Sequence, residues 1–111
     1  MPDLTMTEAD RELELLTDAF HMLEGAVVAF HAGNGSTVSN LTLAAAAKVE
    51  QTGWIHLTAE LHQAKTAIEA GNICPRGDNY SRIGIAWLGP VERTRGALLV
   101  LTQKLNPGPD A

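Results

Sequence analysis

The sequence predicts an all-α fold, an antiparallel helical bundle of about four helices. Three observations carry that expectation. Apolar residues recur in alternating steps of four and three along three stretches, the period of a helix seam. Glycine and proline punctuate the ends of those stretches. Sixteen of the 111 residues are alanine, a strong helix former that lets helices approach closely.

The first stretch is the clearest. Ala9, Leu13, Leu16, Phe20, Leu23, Val27 and Phe30 form a heptad seam over three repeats. Thr5-Met6-Thr7-Glu8 has the form of a capping box, and Glu8, Asp10, Glu12 and Glu14 suit the positive end of a helix dipole. Gly33-Asn34-Gly35 supplies residues that tolerate left-handed backbone. A helix over 6–32 follows.

A second helical pattern starts behind a cap at Ser36 or Ser39 and runs toward residue 70. Its two halves are out of register: Leu41, Ala45 and Val49 give one stripe, and Trp54, Leu57, Leu61, Ala64 and Ile68 give another. They meet at Thr52-Gly53, so a helix over 39–70 either shifts register or kinks there. Unbroken, it would be about 48 Å long, against a radius of gyration of about 13 Å for a compact domain of roughly 100 residues. The helix therefore bends at Gly53, or the molecule is elongated and pairs with a copy of itself; a homodimer is the preferred expectation.

Residues 71–79 hold glycines, Pro75 and Asp78 and read as a loop. Between Tyr80 and Leu88, Ile83, Ile85 and Trp87 alternate as in a strand, but a lone strand has nothing to pair with, so a short helix capped by Asp78 or Ser81 is expected. Gly89-Pro90-Val91-Glu92 reads as the start of a further helix. Val91, Thr94, Leu98, Leu101 and Leu105 face its core, and Pro107-Gly108-Pro109 ends it. The expected organisation is a flexible N-terminus at 1–5, one helical domain at 6–106 and a flexible tail at 107–111.

Composition narrows the function classes. Net charge is −5, which argues against a general nucleic-acid binder, and five aromatics are too few for a base-stacking platform. No stretch approaches 18 uncharged apolar residues, so no membrane span is expected. Cys74 alone cannot form an internal disulfide, and no secretory pattern opens the chain, so the cytoplasm is the expected location. Charge is polarised: residues 1–24 hold seven acidic groups and only Arg11 as a base, whereas 76–104 hold Arg76, Arg82, Arg93, Arg95 and Lys104 against Asp78 and Glu92.

Motifs that imitate chemistry fail on spacing. Gly33-Asn34-Gly35-Ser36-Thr37 lacks the lysine of a nucleotide loop and follows a helix, not a strand. His56 and His62 are six apart, on roughly opposite helix sides, and no Glu-x-x-His pair occurs, so no metal is expected. Cys74 has no Cys-x-x-Cys partner, and Arg76-Gly77-Asp78 reads as a chance integrin tripeptide. No enzyme and no cofactor are expected. The informative residues are large or basic side chains off the seams: Ile55, and the segment Tyr80, Arg82, Ile83, Ile85 and Trp87, types that dominate binding hot spots. The competing reading folds this segment back as a lid, with Trp87 in the core.

In length, acidic charge, helix order and Ala/Leu-rich composition the chain resembles the small helical antiactivators of proteobacterial quorum sensing (QslA-like proteins). The resemblance implies a homodimer that grips the ligand-binding domain of a LuxR-type transcription regulator and blocks its dimerisation. It transfers no site residue, because no motif aligns. The expected function is a non-enzymatic interaction module that sequesters a regulatory protein. The alternatives are a small-molecule or cofactor carrier with a pocket lined by Trp54, Phe20 or Trp87, and a phage or plasmid structural component.

Overall fold

The first helix ends at its first left-handed residue. Gly33 has φ of +79°, a conformation a side chain resists, and the next two N–H bonds close the turn: Gly33 to the Phe30 carbonyl (3.2 Å) and Asn34 to that of Ala29 (2.9 Å). The computed structural model describes residues 8–70 and 82–105, with the backbone alone described at 9, 82, 83 and 105. It contains α1 (Glu8–Ala32), α2 (Gly35–Glu50), α3 (Ile55–Ala70) and α4 (Arg82–Leu105). The capping box at 5–8 lies largely outside the described residues.

Asn34 caps α2, its side-chain oxygen accepting from the Thr37 N–H at 3.2 Å. This corrects the expected cap at Ser36 or Ser39. Both serines lie inside the helix, because the asparagine that ends one turn also starts the next.

The helix expected over 39–70, with a register shift or kink at Thr52-Gly53, is instead two separate helices. After Gln51 the Thr52 hydroxyl donates back to the Val49 carbonyl (2.7 Å) and accepts from the Trp54 N–H (3.2 Å). A side chain thus supplies the partners that a continuing ladder would otherwise use. Gly53 has open space at its Cβ position and no left-handed φ, so the turn does not depend on its missing side chain.

The opposite correction applies further on. The expected short helix near 80–88 and the expected start at Gly89-Pro90 are one helix, with Pro90 buried in its interior. Proline normally drives the preceding residue out of helical conformation partly through that residue's Cβ, and Gly89 has none. Pro90 also removes the N–H that the Ala86 carbonyl would accept from four residues on. Four helices were expected and four are present among the described residues, but two boundaries differ.

Cross-helix contacts fix an up-and-down bundle. Lys48 reaches Asp18 (3.4 Å) between α2 and α1, Arg93 reaches Glu60 (2.9 Å) between α4 and α3, and Arg95 reaches Glu24 (3.8 Å) between α4 and α1. Each helix packs on its sequence neighbour, and α4 returns to α1. The acidic first helix therefore does lie beside the basic last one within the chain. The bidentate pair of that basic segment, however, goes to α3.

Leu16, Leu23, Phe30, Val49, Leu61 and Leu98 anchor the core, each fully buried. Burying such a side chain stabilises by about 1.5–3 kcal/mol. The expected seam of α1 holds at Leu16, Leu23 and Phe30, while Ala19 and Ala26 take the core positions expected of Phe20 and Val27. Leu16, Ala19, Leu23, Ala26 and Phe30 are buried, whereas Leu13, Phe20 and Val27 are half-buried. Because α1 packs on both α2 and α4, its buried face centres on the alanines that admit two close neighbours. Phe20 and Leu13 instead border a shallow groove with Thr17, His21, Thr102 and Gln103.

Candidate protein-interaction surface

The six candidate contact residues do not form one site. Trp87 is 0% exposed. Its ring stacks on Phe30 (centroids 5.0 Å apart, 28° between planes), and its indole N–H donates to the Thr42 hydroxyl at 3.0 Å. Thr42 in turn donates to the Val38 carbonyl at 2.7 Å. A buried indole requires such a partner. This chain ties α4 to α1 and α2, so Trp87 offers no surface to a partner and belongs to the core, the competing reading given above.

Ile55 (77% exposed) opens α3 and Ile85 (59% exposed) lies in the first turn of α4. Since the two helices run antiparallel, these residues stand at opposite ends of the bundle. Arg82 and Ile83 occupy the first turn of α4 beside Ile85; their side chains and the whole of Tyr80 lie outside the described residues.

Ile85 borders an open groove of about 480 Å³ between α3 and α4, lined also by Ala86, Gly89, Pro90, Arg93, Gln63 and Thr66. Its floor is bare helix backbone, because Ala86, Gly89 and Pro90 carry little side chain. Arg93 crosses the rim: its Nε and Nη2 donate to the two oxygens of Glu60 at 3.0 and 2.9 Å. The guanidinium lies close over Gly89, where a Cβ would come to 3.4 Å from Arg93 Nη1. Hydrogen bonding from Arg93, with a smaller Coulombic contribution, holds the Glu60 carboxyl below the ordinary carboxylate range against partial desolvation. Glu60 likewise raises Arg93 above its ordinary value.

Sequence reasoning found Ile85 but missed this groove. Its signal was present in Ala86-Trp87-Leu88-Gly89-Pro90, read as a boundary when it is a helix with one face stripped.

At the far end, Trp54 (37% exposed) precedes Ile55, and its indole N–H donates to Glu12 Oε2 of α1. A smaller hollow of about 310 Å³ opens nearby, lined by Glu8, Arg11, Glu12, Leu15, Gln51, Thr52 and Gly53. Arg11 is turned onto Gln51 at 3.1 Å.

Among the described residues no group of three or more His, Cys, Asp or Glu side chains converges to hold a metal, and no helix is long and apolar enough to cross a membrane. Histidines instead meet single carboxylates: His62 Nε2 lies 3.1 Å from Glu50 Oε2, and His21 Nδ1 lies 3.7 Å from Glu24 Oε1. Comparison with known proteins finds no matching family model, curated protein or solved structure.

Proposed function

We propose that this chain is a non-enzymatic interaction module that binds and sequesters a regulatory protein. The observation that carries the proposal is the α3–α4 groove, where an exposed Ile85 lies beside a helix face of small residues. An apolar side chain seated beside Ile85 gains burial. The resemblance to quorum-sensing antiactivators makes the dimerisation face of a LuxR-type transcription regulator the first partner to try, with a homodimer of this chain as the active form. Inhibition would be competitive: a covered face cannot pair.

The carrier alternative draws less support, because Phe30 and Trp87 stack where its pocket would lie. The test is a tagged capture from the native cytoplasm, with the recovered proteins identified by mass spectrometry. A single stoichiometric partner, lost on Ile85→Asp while circular dichroism stays helical, supports the reading. Capture of nothing, or of a partner indifferent to Ile85→Asp, removes this groove as its site.

A further inference from the structure

The opposite end of the bundle carries a second surface with a different chemistry. Trp54 and Ile55 are consecutive, large and apolar, and both are exposed at the α2–α3 turn. Such a pair has a use when its geometry is fixed beforehand, because a rigid aromatic loses little conformational entropy on binding. Trp54 is fixed in this way: its N–H is held by Glu12, and its backbone N–H by the Thr52 hydroxyl. The same hydrogen bond brings a carboxylate to the edge of the apolar patch.

Charge decides what fits beside it. The first two turns of α1 hold Glu8, Asp10, Glu12 and Glu14 against Arg11, four carboxylates to one guanidinium. Arg11 is turned toward Gln51, and Glu8 and Glu12, one helical turn apart, line the hollow next to the α2–α3 turn. Acidic groups at a helix start favour that helix by offsetting its dipole. That does not account for an exposed isoleucine and tryptophan beside them.

We infer that this end docks a basic, amphipathic segment of another protein: an apolar side chain on Trp54 and Ile55, and a lysine or arginine between Glu8 and Glu12. The inference rests on the reading that the protein binds other proteins, and it names the chemistry of a second contact. A second copy of this chain fits poorly, since two copies meeting here would place eight carboxylates of α1 against two guanidiniums.

The test uses the full chain and two labelled 18-residue amphipathic peptides, one of leucine and lysine, the other of leucine and glutamate. Fluorescence anisotropy should show binding of the lysine peptide and none of the glutamate peptide. Ile55→Ser, and separately Glu8→Gln with Glu12→Gln, should each weaken binding roughly tenfold. The glutamine at position 12 still accepts from Trp54, so the fold is preserved. Val28→Ser with Glu69→Gln serves as a matched control on other exposed positions and should change little. Equal losses in control and test variants would mean non-specific attraction to an acidic protein and overturn the proposal. So would a wild-type dimer in sedimentation that dissociates on Ile55→Ser. If a native partner is captured and survives Ile55→Ser but not Ile85→Asp, the interaction reading stands and this second surface fails.

Discussion

The two tryptophans of this protein do opposite work with the same side chain. Trp87 is fully buried, stacked on Phe30 and hydrogen-bonded to a buried threonine. Trp54 stands partly in solvent with its N–H on a surface glutamate. Each indole satisfies its one donor, as an amphipathic ring must. What differs is what else each ring displaces. Around Trp87 the neighbours come from α1 and α2, so its loss opens a void. Around Trp54 water already occupies part of the space.

The largest test of that contrast is Trp87→Ala. The truncation should cost about 3–5 kcal/mol, a large share of the roughly 5–15 kcal/mol that holds a typical domain folded. Urea denaturation followed by circular dichroism measures it. A loss below about 1 kcal/mol would mean that Trp87 does not tie α4 to α1 and α2, and would return it to the surface. The threonines divide the core more finely. Thr42 accepts the Trp87 N–H, while the Thr94 hydroxyl, equally buried, has no partner among the described residues. Thr42→Val should destabilise by about 1–3 kcal/mol, because it strands a buried donor. Thr94→Val, the same change on the same scale of burial, should be neutral or stabilise by up to about 1 kcal/mol, since it removes an unsatisfied group. Equal effects at both positions would mean that the hydroxyls are not distinguished by their partners.

These residues also show where the sequence was readable. Leu57, Leu61 and Ala64 could be placed on a buried stripe from spacing alone, and so could Val91, Thr94 and Leu98, because a helix with one core-facing side imposes its period directly. The turn at Gly33 was readable because left-handed backbone selects its residue. Where two signals competed, reading failed. Gly53 marked a break, but whether it was a kink or a full reversal depended on the Thr52 side chain folding back onto Val49, which spacing does not encode. Gly89-Pro90 carried the marks of a start, yet tertiary packing on α3 and α1 kept the helix continuous through it. The candidate contacts were divided for the same reason. A short segment rich in Trp, Ile and Arg looked like one surface, but a helix turns its residues outward and inward by turns, so Ile85 faces solvent and Trp87 the core.

At the exposed tryptophan the expected effects are smaller. Trp54→Phe keeps most of the apolar surface and removes the N–H that Glu12 accepts. The loss of stability should stay under about 1 kcal/mol, because water can replace the donor. Circular dichroism should show unchanged helicity, while affinity for the lysine-bearing peptide falls with the freed ring. A loss as large as that from Thr42→Val would make Trp54 a second structural anchor and blur the distinction between the two ends.

The smallest expected effect belongs to Glu60 and concerns the groove rather than either tryptophan. Its carboxyl is held below the ordinary carboxylate range by Arg93. The folded chain therefore binds this proton less readily than the unfolded chain does. The stabilising contribution is present at neutral pH, declines as pH falls below the ordinary carboxylate value, and is gone once pH has dropped through the lowered folded value. The pair is at the surface, so solvent screening keeps the contribution small. Glu60→Gln should flatten this part of the acid limb while leaving neutral-pH stability nearly unchanged, as measured by urea midpoints from neutral pH down through the carboxylate range. It should also release the Arg93 guanidinium that now lies across Gly89. If partner capture is stronger for Glu60→Gln than for the parent at neutral pH, the salt bridge competes with the partner for Arg93. If capture is unchanged, the guanidinium only borders the groove, and recognition rests on Ile85 and the bare helix face.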